Sequence, residues 1–347
     1  MSKRILVDIT HPAHVHFFRN AITRWRERGH QVFITARIKD IAIDLLDRYG
    51  LEHLDLSAAR SGLVGLALEL AERDLRLARV VRKVRPHVMT SIAGVYIAMV
   101  GRLLGVPSVA FQDTENAVVS NRLTFPFATV VVTPDCYEAA VPRHKHLTYP
   151  GYHELAYVHP GRFTPDPAAL GLFGLEPGQD FILMRLVGWK AVHDLTDTGF
   201  GALEPVVERL ERYGRVLISS ERDLPPGLSD RRLTDHLDQV IHLQYYARLL
   251  VGESATMASE CACLGTPAVF VSTSTRGYTN EQGRRYGLVF TYSDPGTGQA
   301  QALAQAESIL SGEVPRKEWR ERARRMLADK IDVTDFMVEV VERYARN

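Results

Sequence analysis

Short apolar runs alternate with amphipathic helical stretches along almost the whole chain. That alternation confines the fold to α/β architectures, with parallel sheets covered by helices on both faces. Residues 5–9, Ile-Leu-Val-Asp-Ile, read as a buried first strand. Residues 13–28 follow as a helix, with Phe17, Phe18, Ala21, Ile22 and Trp25 spaced by three and four, and Gly29 stops it. The same reading gives strands at 31–35, 87–90, 108–111 and 129–132, and helices at 40–49, 64–84 and 94–104. Residues 144–180 break the pattern with Pro150, Gly151, Pro160, Gly161, Pro165 and Pro167, and mark the connection between two halves. Beyond it the reading gives strands at 181–186, 215–218, 239–242 and 267–271. Helices are expected at 202–213, 245–250, 255–264 and 279–286, with three more between 298 and 346.

A chain of 347 residues suits two domains. Basic residues number 42 and acidic ones 41, a balance that argues against non-specific nucleic-acid binding. No apolar run reaches the ~20 residues needed to span a bilayer. The first apolar run stops at Asp8, too early for a signal peptide, so a cytoplasmic protein is expected. Three cysteines, Cys136, Cys261 and Cys263, do not suggest a disulfide framework.

The segment 251–260, Val-Gly-Glu-Ser-Ala-Thr-Met-Ala-Ser-Glu, carries the most chemistry. A small-residue loop enters a helix, and Gly265-Thr266-Pro267 then turns the chain into a strand. Backbone N–H groups of Ser254, Ala255 and Thr256 would point out of the helix N-terminus, which makes a site for a diphosphate. Glu260 falls on the face of Thr256 and can accept from two ribose hydroxyls. The competing reading is plain capping by Ser254 or Thr256, with Glu260 a solvated helix residue.

Loops after other strands supply further candidates. Residues 8–18 hold His11, His14 and His16 at the carboxyl end of the first strand, where open α/β sheets bind ligands. The spacing does not converge on a metal, so none is expected. His14, at the helix start, is the first candidate for a general base, since the helix field favours its neutral form. Its alternative is a bond to backbone that holds the loop. His11 is a candidate substrate contact. Asp113 and Glu115 follow the strand at 108–111; Asp113 is the second candidate base, or a helix cap. Arg185 or Lys190 can neutralise a phosphate, with His193 beside it, or lie on the surface. Ser220 and Glu221 end another strand and face ligand, or form a turn. Thr279, Asn280 and Gln282 follow the strand at 267–271 and can bond sugar hydroxyls; capping by Thr279 is the alternative. The chain lacks a P-loop, a Gly-x-Gly-x-x-Gly after the first strand and a Gly-x-Ser-x-Gly elbow.

The segment 252–267 resembles the donor site of GT-B glycosyltransferases. It is similar to that of the transferase that completes lipid II and to that of the non-hydrolysing UDP-N-acetylglucosamine 2-epimerases. The resemblance implies that Ser254, Ala255 and Thr256 meet the diphosphate and that Glu260 binds the ribose. Ala13-His14-Val15 is similar to the lipid II enzyme's acceptor-side loop, although the preceding loop lacks that enzyme's run of glycines. Residues 11–18, 151–157 (Gly-Tyr-His-Glu-Leu-Ala-Tyr), 219–221 and 252–267 together identify the chain as a member of domain-of-unknown-function family 354.

The resemblance implies a GT-B-type α/β fold, two Rossmann-like domains with parallel sheets facing across a cleft. Residues 1–160 would be the acceptor domain and 161–330 the nucleotide-sugar domain. Residues 331–347 would return as a helix to the first. The implied activity is a metal-independent glycosyltransferase in glycan or cell-surface polysaccharide biosynthesis, without cofactor. Its substrates would be a nucleoside diphosphate sugar, UDP-linked, and an unidentified acceptor. A lipid-linked acceptor would bring it to a membrane surface, and a homodimer is compatible with this reading. The rival readings are a sugar-nucleotide epimerase and a non-catalytic nucleotide-sugar sensor. No chemistry follows from residues 151–154 taken alone.

Overall fold

The computed structural model describes residues 2–39, 41–58, 62–188 and 200–345, without the side chains of 63, 64, 66 and 67. The chain divides into two compact units, Met1–Tyr157 with Ile331–Asn347, and Val158–Lys330.

Unit 1 runs β1 (Arg4–Ile9), α1 (Pro12–Glu27), β2 (Gln31–Ile38), α2 (Ala42–Arg48), β3 (Leu54–Ala58), α3 (Gly62–Val84), β4 (Val88–Ile92), α4 (Val95–Leu104), β5 (Ser108–Phe111), α5 (Val118–Thr124), β6 (Val130–Pro134) and β7 (His146–Tyr149). A short α6 (Leu155–Val158) follows. The strands pair in parallel in the order β3-β2-β1-β4-β5-β6-β7. Ile5, Leu6, Val7 and Ile9 of β1 have no exposed surface, as expected of a strand covered on both faces.

Unit 2 runs β8 (Phe181–Leu186), α7 (Glu204–Glu211), β9 (Arg215–Ser220), α8 (Val240–Tyr246), β10 (Leu249–Gly252), α9 (Ala255–Leu264), β11 (Ala268–Val271), α10 (Gly277–Arg284), β12 (Val289–Tyr292), α11 (Gly298–Leu310) and α12 (Arg316–Ala328). Its parallel sheet has the order β12-β11-β10-β8-β9. The last helix, α13 (Val333–Tyr344), belongs to unit 1. There Thr334 Oγ1 donates to the Ala156 carbonyl at 2.6 Å, and Glu342 accepts from Arg28 Nη1 at 2.9 Å.

Each sheet reverses its strand order once, between β1 and β4 in unit 1 and between β8 and β10 in unit 2. Loops leaving the carboxyl ends of strands at such a switch point part to opposite sides and leave room for a ligand.

Two sequence expectations are corrected. Residues 239–242 are not a strand: α8 covers Val240–Tyr246. Nor do residues 245–250 form a helix of their own: Tyr245 and Tyr246 end α8, and β10 takes Leu249–Gly252. Val240, Leu243 and Ala247 are all buried, three and four residues apart, which is a helix face. Leu249-Leu250-Val251 is the unbroken apolar run of a central parallel strand. The unforeseen strands β3, β7 and β12 are all sheet edges with partly exposed residues, so they carry no such run.

A buried ionic network anchors α3 in unit 1. Arg73 has no exposed surface; its Nη2 donates to Asp8 Oδ1 at 2.6 Å, and its Nη1 to the Ala36 carbonyl and Ser57 Oγ, each at 3.1 Å. Thr35 Oγ1 also donates to Asp8 Oδ1, at 2.6 Å. Burial pushes the neighbouring Asp74 carboxyl up to about 6, with the Asp8 charge adding to it. Among the described residues no helix is long and apolar enough to cross a membrane.

Candidate functional site

In unit 2 the site starts where β10 ends. Gly252 lies in register between Arg185 of β8 and Phe270 of β11. A Cβ on Gly252 would sit 2.6 Å from the Arg185 carbonyl oxygen, so only glycine lets the two strands close up here. Glu253 then turns inward. Its carboxylate accepts from the Val187 amide at 2.9 Å, the Phe200 amide at 2.7 Å and Arg222 Nη2 at 2.9 Å. Burial raises its pKa, and Arg222 and the two amides work against that. Glu253 therefore ties the loops after β8 and β9 to the end of β10. The sequence reading passed over it, although an acid at the end of an apolar strand demands buried partners.

Ser254 is the N-cap of α9, and its hydroxyl oxygen accepts from the Met257 amide at 3.3 Å. The capping reading thus holds for Ser254, yet its O–H hydrogen is still a donor. The amides of Ala255 and Thr256 are first-turn groups without a helical partner, and both residues are half-buried, open to a ligand. Glu260 is not solvated, as its alternative reading had it, but only 9% exposed. Its Oε2 accepts from Nε2 of Gln244 at 2.6 Å. A carboxylate has no hydrogen to give, so Gln244 must present its amide nitrogen there. Its Oε1 is buried without a partner. Sequence reasoning missed Gln244; its place beside Leu243 on the inner face of α8 was the available signal.

The other unit 2 candidates are more fully engaged. Arg185 Nη1 donates to Ser219 Oγ at 2.8 Å, and its Nη2 pairs with Glu221 Oε1. The second oxygen of Glu221 accepts from the Gly188 amide at 3.0 Å. Arg185 thus meets its counter-charge within the protein. Ser220 Oγ donates to the Arg222 carbonyl at 2.7 Å, which is the turn alternative. Thr279 and Gln282 are fully buried; Gln282 Nε2 donates to Ser259 Oγ at 2.8 Å and locks α10 to α9. Asn280 is half-buried. Lys190 and His193 lie outside the described residues.

In unit 1, His11 is exposed and caps α1, its Nδ1 accepting from the Ala13 amide at 3.3 Å. His14 is 7% exposed. Burial drives its pKa well below the usual histidine value, and the charges of His11, His153 and Lys39 add to that against Asp113. The neutral form expected from the helix field is therefore owed first to burial. The Thr10 amide donates to Nδ1 of His14 at 3.3 Å, so in the neutral ring the proton sits on Nε2. Facing a ligand, that nitrogen donates.

Asp113 does not cap α5, whose N-cap is Ala117. Its Oδ1 accepts from Thr114 Oγ1 at 2.8 Å, and its Oδ2 lies 2.9 Å from Nδ1 of His153. The segment 151–154, opaque as sequence, thus delivers a histidine to Asp113, the second candidate base.

His14 has a measurable consequence. An unfolded histidine takes a proton as pH falls through about 6.5, and the folded ring resists it. Folding stability should fall from pH 7.5 to 5.5 more steeply in the native chain than in His14→Gln, by up to about 1.4 kcal/mol per pH unit below 6.5. Urea denaturation at the two pH values measures it, and parallel losses would contradict it.

The comparisons with known proteins follow this geometry. An uncharacterized protein of Methanocaldococcus jannaschii is 23% identical over 278 residues, covering 76% of this chain and 80% of that one. The UDP-GlcNAc 2-epimerase of Neisseria meningitidis, solved bound to UDP-GlcNAc, superposes with a TM-score of 0.67 at 10% identity, over 98% of this chain and 100% of that one. A spinosyn rhamnosyltransferase complexed with spinosyn aglycone gives a TM-score of 0.62 at 13% identity, over 98% and 100%. These likenesses establish the GT-B type of α/β fold expected from the sequence, with two parallel sheets. A family profile matches residues 3–276, and by that match the chain belongs to the family described as "Protein of unknown function (DUF354)".

Proposed function

We propose that the protein is a glycosyltransferase that takes a sugar from a nucleoside diphosphate, UDP by preference, and passes it to a hydroxyl acceptor in glycan or cell-surface polysaccharide synthesis. The observation that carries this reading is Glu260, a nearly buried carboxylate kept in place by Gln244, one turn inside a helix whose first amides have no partner. The Ala255 and Thr256 amides and the Ser254 hydroxyl would donate to the diphosphate, and the helix field would favour its charge. As the bond to the sugar breaks, these donors stabilise the charge growing on the leaving group, so transfer requires no metal. Glu260 would accept from the ribose hydroxyls. Unit 2 is thus the donor-binding half and unit 1 the acceptor-binding half.

A sugar-nucleotide epimerase is the second reading, favoured by full-length likeness to a protein solved with UDP-GlcNAc. Two experiments test the proposal. UDP at 100 times its Kd should stabilise the protein by roughly 2.7 kcal/mol, seen as a rise in Tm. Incubation with UDP-GlcNAc alone should leave the sugar's configuration unchanged; epimerisation without an acceptor would remove the transferase reading in favour of its rival.

A further inference from the structure

The motif 151–157 is left unused by the donor site, and it places His153 in a setting built for chemistry. His153 is 5% exposed. Its ring stands 4.5 Å from the Phe17 ring and 6.4 Å from Phe111, and it stacks on Tyr149 at 6.4 Å with 7° between planes. Nδ1 lies 2.9 Å from Oδ2 of Asp113. An ionised carboxylate only accepts, so Nδ1 carries the proton and Nε2 of the neutral ring keeps its lone pair. Nε2 is buried and has no hydrogen-bond partner. Buried polar groups are paired with few exceptions, and an orphan at a candidate site calls for a missing partner. What fits a buried acceptor is a donor, and the donor class that matches the proposed transfer is a hydroxyl.

The geometry points to the Asp113–His153 pair as the proton-accepting site of unit 1, with His153 Nε2 receiving the O–H of the acceptor. This assignment rests on the transferase reading above. The acceptor oxygen forms the bond to the sugar's anomeric carbon. The bond from that carbon to the diphosphate breaks, and its electron pair leaves with the diphosphate. The hydroxyl proton passes to Nε2, while Nδ1–H stays on Asp113, whose negative charge offsets the imidazolium. A shielded, apolar surround strengthens that hydrogen bond. With Nδ1 of His14 accepting from the Thr10 amide, the Nε2 of its neutral ring is a donor, and the base role in this proposal falls to His153. Nε2 of His153 is buried in the structure, so the acceptor hydroxyl has to be drawn in beside the ring to reach it.

His153→Asn tests the site, because the asparagine amide can keep a donor toward Asp113 while the Nε2 lone pair is lost. The full chain is titrated with UDP by calorimetry. UDP release is then followed from UDP-GlcNAc, UDP-glucose and UDP-galactose, with water or glycerol as acceptor. The native chain should release UDP from at least one sugar. His153→Asn should keep its Tm and its UDP affinity within about twofold and lose more than tenfold in rate, about 100-fold for a general base. His153→Phe should lose as much. A His153→Asn rate within tenfold of native, or a UDP affinity that falls with it, overturns the site. So does a native chain that binds UDP and releases none, which leaves the donor reading standing. A chain that binds no UDP ends the donor reading instead. Long-range 1H–15N spectra of the histidine rings then decide the pair alone: a neutral His153 ring with its proton on Nδ1 and a bare Nε2 upholds it, and the Nε2–H tautomer overturns it.

Discussion

Glu260→Ala should weaken UDP binding about ten- to a hundredfold and leave inorganic pyrophosphate binding within about twofold of native. A hydrogen bond to a charged group contributes roughly 1.5–3 kcal/mol, and each 1.4 kcal/mol is tenfold in affinity. Glu260 is well placed to supply that much, because it is only 9% exposed and one of its oxygens is already fixed by Gln244 at 2.6 Å. A prepositioned carboxylate loses little rotamer freedom when ribose arrives. The split between the two ligands is what gives the measurement its meaning. Pyrophosphate would reach only the Ser254, Ala255 and Thr256 donors, whereas UDP would also reach Glu260. Glu260→Gln keeps the volume and should fall between the native chain and Glu260→Ala. Calorimetry on the three proteins measures the effect. Equal losses for UDP and pyrophosphate, or no loss for either, would remove Glu260 from the ribose site.

Arg73→Met should destabilise unit 1 by about 3–5 kcal/mol, the usual result of stripping one partner from a buried ion pair. Arg73 has no exposed surface and Asp8 is 1% exposed. Methionine matches the length of the arginine stem, but it leaves the Asp8 carboxylate with only the Thr35 hydroxyl among its present donors. It also takes donors from the Ala36 carbonyl and Ser57. The pair itself need not stabilise the fold; the loss comes from the charge left behind. Replacing both residues, Asp8→Asn with Arg73→Met, should therefore recover at least about 1 kcal/mol of what the single change loses. Urea denaturation gives both numbers. A single variant within about 1 kcal/mol of native would show that water or a rearranged side chain satisfies Asp8.

The loop and helix that follow Val251 were largely legible in the sequence. Residues 252–267 carry their structure in local chemistry: a glycine, a capping serine, a helix of small residues and a Gly-Thr-Pro exit. The cap, the helix and the strand after it all form there, and Glu260 falls one turn below Thr256 because 3.6 residues make a turn. Most central strands were readable, since burial on both faces forces an unbroken apolar run, but β10 was not, because its short run Leu249-Leu250-Val251 follows closely on α8 and reads as a continuation of helix. Edge strands β3, β7 and β12 were not, because a strand with one open side needs no such run.

What the sequence could not fix was which polar groups meet. Asp113 and His153 are forty positions apart, Gln244 and Glu260 sixteen, and Asp8 and Arg73 sixty-five. Each pair is joined by separate strands and helices, so no local spacing announces it. The same holds for Arg185, a candidate phosphate partner in the sequence, which the fold sets beside Ser219 and Glu221. Periodicity and capping act over a turn or two of chain and settle the elements. Hydrogen bonds and ion pairs act over about 3 Å of space, and only the packed sheets decide which side chains come within that reach.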